Sequence, residues 1–201
     1  MRKTMIAVTA AALVLVLSGC AGLANWGENF NRQWKGASAT MQTYNEESQV
    51  IDKIHGTSIQ ISRDTTFDTS KSDGTSNADS QVLLISIGSS SVHHVGSTLI
   101  LNEDGLEEIM TATNATVDFK STERGTPWLN RLREQHQNLW AGKSKTILVR
   151  SQNGTPLAVY TGNKVEIFAT DVPKSTQFRV DGKLLFVYRA DFTVIDNDLL
   201  R

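Results

Sequence analysis

The sequence predicts an α+β fold dominated by β-structure: an antiparallel twisted sheet or partly closed barrel with one amphipathic helix packed on it. Three observations carry that reading. Short runs rich in Val, Ile, Thr, Tyr and Phe succeed one another along most of the chain. Turn dipeptides such as Asn153-Gly154 and Asp181-Gly182 separate them. A single well-marked segment, opening at Thr126-Pro127, has helical instead of strand periodicity.

In residues 20–37, Leu23, Trp26, Phe30 and Trp34 recur at helical spacing and share one face of a short helix. Such a face suits a membrane surface or an open end of the sheet. From Ser38 the pattern turns strand-like, with Thr40, Gln42 and Tyr44 alternating with Met41 and Thr43. Residues 50–55 and 59–62 flank Gly56, which suggests a hairpin. Residues 64–80 are rich in Ser, Thr and Asp around Asp73-Gly74 and predict a long mobile loop. The near-continuous apolar run 82–87 suits a central strand, and 95–101 a second one that ends at Asn102-Glu103-Asp104-Gly105. Residues 106–110 suit a helical turn and 116–119 a short strand.

The helix starts where the Thr126 hydroxyl can cap the first turn and Pro127 can take the first helical position. Trp128, Leu129, Leu132, His136, Leu139 and Trp140 fall on one broad stripe. Gly142 stops the helix, with Lys143 and Lys145 near its negative end. After it come strands over 147–149, 155–160, 164–168, 178–180, 183–189 and 192–195, joined by turns. Seven to nine strands in one domain, residues 38–201, are expected. No internal repeat and no second domain boundary interrupts them.

The N-terminus carries the sharpest signal. Arg2 and Lys3 precede an apolar stretch from Met5 to Leu17, and Leu17-Ser18-Gly19-Cys20 closes it. A secretory leader has a basic start, roughly 7–15 apolar residues and small residues at the cut. A membrane-spanning helix needs about 20 apolar residues. Cleavage between Gly19 and Cys20 would remove residues 1–19 and leave a thiol as the first mature residue. A thiolate is the natural acceptor of a diacylglyceryl group. Two or three acyl chains hold a protein at a bilayer where one alone does not. The expected location is therefore the cell membrane, lipid-anchored and facing away from the cytoplasm.

Cys20 is the only cysteine, so no disulfide framework exists and the core alone must hold the fold. The cleaved chain loses Arg2, Lys3 and no acid. Its 20 basic residues fall to 18 against 21 acidic ones, a formal charge of −3. That balance argues against nucleic acid, which needs a clustered basic face. No motif for a cofactor is found, and the expectation is that none is bound.

Several short motifs recur together in one family: Trp34-Lys35-Gly36, Met41-Gln42-Thr43-Tyr44, Ile54-His55-Gly56, Val95-Gly96-Ser97-Thr98 and Glu103-Asp104-Gly105-Leu106. Gly142-Lys143-Ser144, the run from Ser151 to Pro156, Asp171-Val172-Pro173-Lys174, Val180-Asp181-Gly182-Lys183, Tyr188-Arg189-Ala190 and Ile195-Asp196 belong with them. In their order the chain resembles an uncharacterised family of lipoproteins of Gram-positive bacteria, a domain of unknown function. The resemblance implies a location and no reaction.

The remaining residues offer candidates of unequal weight. His93 and His94 are adjacent in a strand, so they point to opposite faces and one site rarely uses both. No His or Glu stands nearby at a spacing that completes a zinc set, and the acids of 64–80 lack calcium-loop spacing. No metal ligand and no catalytic residue is assigned. There is no Gly-x-Ser-x-Gly elbow, and Gly142-Lys143-Ser144 follows a helix where a phosphate loop opens one. Trp128 and Trp140 could line a carbohydrate or peptide groove, or belong to the core. His136 suits a hydrogen-bonded histidine at the edge of the core. The expected function is a binding or accessory module of the cell envelope, its partner another envelope protein or a cell-wall glycan. The alternative is an envelope hydrolase or metal-dependent enzyme that uses His93 or His94.

Overall fold

The computed structural model describes residues 34–118, 123–170 and 172–201. Among them twelve strands form three antiparallel sheets. In chain order they are β1 (Ser38–Tyr44), β2 (Val50–Thr57), β3 (Ile59–Arg63), β4 (Leu83–Ile87), β5 (Ser90–His94) and β6 (Thr98–Glu103). After three helices follow β7 (Lys145–Arg150), β8 (Pro156–Gly162), β9 (Val165–Ala169), β10 (Ser175–Val180), β11 (Lys183–Tyr188) and β12 (Asp191–Asp196). The helices are α1 (Ile109–Thr113), α2 (Thr126–Gln135) and α3 (Gln137–Trp140). Six strands make the main sheet, in the order β2-β1-β6-β11-β10-β9. The others are β12-β7-β8 and β3-β4-β5, and no sheet closes into a barrel.

The main sheet lies between the two smaller ones. Ala39, Met41, Leu99, Leu101, Leu184, Phe186 and Tyr188 project from one face and pack on Ile59, Ile61, Leu83 and Ile85 of β3 and β4. Tyr44, Ile100, Phe178, Val180, Leu185 and Val187 project from the other and meet Ile147, Val149, Ala158 and Tyr160 of β7 and β8. Period-two alternation then places Leu148 and Val159 on the far face of β7 and β8. There Ile109, Leu129, Leu132, Trp140 and Leu200 cover them. Strands buried on both faces read as unbroken apolar runs. That is why 99–101, 147–149 and 184–188 show little alternation in sequence.

Trp34, which the sequence places on the apolar face of residues 20–37, is fully buried in the first of these cores. Its indole N–H donates to Gln177 Oε1 at 2.8 Å, pairing two buried polar groups. Cys20, Gly19, Trp26 and Phe30 lie outside the described residues.

The hairpin expected around Gly56 does not form. β2 runs through Gly56 and pairs with β1, while β3 pairs with β4. The chain turns from one sheet to the next at Ser58, whose φ is 56°. A Cβ on Gly56 would lie 2.1 Å from Ile87 Cγ2, so this strand glycine serves the close approach of two sheets. The run 82–87 is central as expected, in β3-β4-β5. Ser90 and Ser91 begin β5 and pair with Ile87 and Ser86. Residues 116–118 form no strand.

Residues 64–80 are tied by their own acids. Asp68 accepts from Arg63 Nε at 3.0 Å, Ser76 Oγ at 2.7 Å and Ser80 N at 2.8 Å. Asp79 accepts from the backbone and hydroxyl of Thr69 at 2.8 and 2.6 Å. Aspartate and serine side chains here replace backbone partners, as they do in turns. Their abundance signals a loop with internal bonding, which composition alone reads as looseness.

Candidate functional site

The expected four-turn helix is interrupted. α2 ends at Gln135, His136 adopts φ −131° and ψ 45°, and its N–H is shared between Leu132 O and Arg133 O at 3.2 Å each. Gly125 stands at the N-cap, without a side-chain cap, and Pro127 follows Thr126 inside the first turn. Thr126 therefore does not cap the helix. The break lets Trp140 turn inward from α3. It is buried, and its indole N–H donates to Thr146 Oγ1 at 2.8 Å; that hydroxyl donates to Asn197 Oδ1 at 2.6 Å.

Trp128 and Trp140 thus do not share a groove. Trp140 meets a cleft of about 490 Å³ together with Asn130, Arg133, Glu134, Gln137, Ala141 and Arg201. Trp128 belongs to another, of about 450 Å³. Twelve positions along a helix at 100° per residue bring a side chain about a third of a turn round, even before the break at His136.

The Trp128 cleft is built by two elements. Leu129 and Leu132 anchor α2 on β7 and β8. Trp128, Arg131, Leu132 and Gln135, at i, i+3, i+4 and i+7, then form the adjacent stripe that faces the cleft, with His136 at its end. The opposite wall is the end of α1 and the residues after it: Thr113, Asn114, Ala115, Thr116 and Asp118. α1 is fixed by Glu108, whose carboxylate accepts from Met110 N at 2.9 Å and Thr111 N at 2.7 Å. The same side chain accepts from Val159 N of β8 at 2.8 Å, so one carboxylate caps the helix and docks it. Burial, followed by the Glu108 charge, pushes the Tyr44 and Tyr160 hydroxyls well above the usual phenol range. Asn114 ends α1 in the left-handed region, φ 50°.

Among the described tryptophans, Trp128 differs from the other two in what its indole does. Trp34 and Trp140 both donate their indole N–H to side-chain acceptors. Trp128 is half-buried, and among the described residues its N–H, like the side chains of Asn114, Thr116, Gln135 and His136, has no protein partner. Arg131 pairs with Glu123. An aromatic face, amide and hydroxyl groups and one charge of each sign therefore line one concavity, of the size of small-molecule sites at roughly 300–1,000 Å³.

The two histidines point to different partners, as adjacency in a strand requires. His93 Nδ1 lies 2.7 Å from Asp64 Oδ2, the carboxylate being buried and the imidazole 56% exposed. Hydrogen bonding from Thr66, and then His93, holds the Asp64 carboxyl below the usual range. His94 Nε2 meets Ser97 O at 2.9 Å, and its ring stands edge-on to Tyr188 at 5.8 Å. Among the described residues no Ser, Thr or Cys side chain bonds to His93, and no group of three His, Cys, Asp or Glu could hold a metal.

Asn114, Thr116, Asp118, Arg131 and Gln135 are cleft residues that the sequence reading missed. The i, i+3, i+7 series from Trp128 would have found Arg131 and Gln135. The opposite wall comes from a separate segment, and no local pattern announces it.

Neither a curated protein nor a solved structure matches the chain. Over residues 2–200 it matches the family described as Domain of unknown function (DUF5052). The chain belongs to that family.

Proposed function

We propose that the protein is a lipoprotein of a Gram-positive cell membrane, anchored through Cys20, whose domain is a binding module that engages its partner through the Trp128 cleft. The basic, apolar and small-residue order ending at Cys20 supports the anchor, and the family match extends through that segment. Among the described residues no helix is long and apolar enough to cross a membrane. The observation that carries the binding reading is the convergence of Trp128 with unpartnered amide, hydroxyl and imidazole groups on one cleft. A ring face beside hydrogen-bonding groups of both polarities suits a polyhydroxylated ligand such as a cell-wall glycan. The hydrolase reading has the Asp64–His93 contact in its favour and no placed nucleophile.

Three measurements test the proposal. Intact mass of the detergent-extracted protein should exceed that of the chain from Cys20 onward by a diacylglyceryl group. Cys20→Ser should accumulate as unprocessed precursor, and normal maturation of that variant would refute the anchor. Trp128→Ala should weaken retention on purified cell-wall glycan by about 10-fold or more, the loss of a stacked aromatic. Equal retention of the variant and wild type would refute the cleft.

A further inference from the structure

A third concavity lies at the open end of the β10–β11 hairpin. Gln152, Lys174, Ser175, Thr176, Arg189, Ala190 and Asp191 line about 560 Å³. The hairpin turns at Asp181-Gly182, and Ser175 pairs with Tyr188 as the last register position. One step further Arg189 N donates to Lys174 O at 2.9 Å, so the two cations stand side by side.

Both occupy the left-handed region, Lys174 at φ 60° and Arg189 at φ 51°. Neither is a residue that this conformation favours, and such strain gathers where function requires a side chain to be aimed. The Arg189 Nε is buried and has no hydrogen-bond acceptor. Leaving a bond to a charged group unmade is expensive; Arg150 Nε, outside this cleft, is orphaned in the same way, and Arg189 is the one that lines a concavity. Among the described residues no carboxylate pairs with either cation. Lys174 Nζ donates only to the neutral amide oxygen of Gln81, at 2.9 Å. Asp191, the one acid of the cleft, is exposed at its rim, so the site keeps an excess positive charge.

We infer that this cleft is a binding site for a phosphate group. Arg189 supplies the planar donor fork and the empty Nε–H, Lys174 a mobile point charge, and Thr176 a hydroxyl. Guanidinium and ammonium from two strand ends address different oxygens of one tetrahedral anion. The phosphate can come from a lipid headgroup or from a soluble polyol phosphate, and the chemistry is shared.

Titrations of the full-length, detergent-solubilised protein test this. The probes are inorganic phosphate, glycerol 3-phosphate and a short-chain phosphatidylglycerol below its micelle concentration, followed by calorimetry and ³¹P resonance. Saturable binding of at least one probe is expected, weakened about 10-fold or more in Arg189→Gln and in Lys174→Gln. Lys164→Gln should bind like wild type, because Lys164 sits at the turn end of the hairpin, where its carbonyl accepts from Asp181 N, and pairs with Glu166 at 3.2 Å. Preference for the lipid probe would assign a headgroup, and preference for glycerol 3-phosphate a soluble or polymeric ligand. Lys174→Gly separates strain from function: it should melt no lower than wild type and still lose binding. Absence of saturable binding to every probe, or equal binding by wild type and both Gln variants, would overturn the inference.

Discussion

β2 and β11 belong to the same six-stranded sheet and share almost nothing else. β11 is buried from Leu184 to Tyr188, because each face meets a second sheet. β2 is exposed at every position except Gly56, which is half-buried. Ile51 is 56% exposed, Val50 46% and Ile54 37%, although Ile54 lies opposite the buried Met41. The strands differ in place, not in character. β11 sits inside the sheet with layers above and below, while β2 is an edge past which the smaller sheets do not extend. An exposed apolar edge invites pairing with other chains, and charges at its centre oppose this; Asp52 and Lys53 stand there.

Substitutions can sharpen that contrast. Phe186→Ala removes a fully buried ring from β11 and should cost about 3–5 kcal/mol in chemical denaturation. A cost near that of a surface change would mean that the first core tolerates a void, and would weaken the layered description. An intermediate effect is expected in the loop 64–80. Hydrogen bonding from Ser76, then from Arg63 and Ser80, holds the Asp68 carboxyl at about 2. The unfolded value is about 3.9, so the folded one is depressed and the carboxylate stabilises the loop above about pH 4. That stabilisation fades as pH falls through about 2. Pepsin cleavage within 64–80 should therefore accelerate as pH drops through this window in wild type. Asp68→Asn should be cut readily throughout, and identical pH profiles for the two would sink the assignment. The smallest effect belongs to β2: Ile51→Ala should change stability by less than about 0.5 kcal/mol. A loss comparable to that of Phe186→Ala would show that β2 is covered in the native protein.

Much of the architecture was legible along the chain. The alternation of β1, the Asn153-Gly154 and Asp181-Gly182 turns and the apolar run of β4 each appear in the sequence and in the structure. Trp128 was legible as a candidate, but on one stripe with Leu129 and Leu132; the structure packs it at the margin of their core, where it also lines the cleft. Ser58 and His136 were not legible. A corner between sheets and a break in a helix leave no composition signal when Ser and His carry them. The Lys174 and Arg189 pair was equally hidden, because 15 positions separate the two cations until the hairpin closes.

By itself the sequence determined period and punctuation: which stretches alternate, where the chain turns, which segment coils, and that Cys20 closes a leader-like run. These are local properties, fixed by backbone sterics and by the spacing of apolar side chains. Only the tertiary structure decided how the strands divide among three sheets and which apolar residues stay exposed. It also decided which of the described tryptophans keeps a free indole N–H. The physical reason is that burial depends on what covers a surface, and the covering layers come from residues distant in the chain.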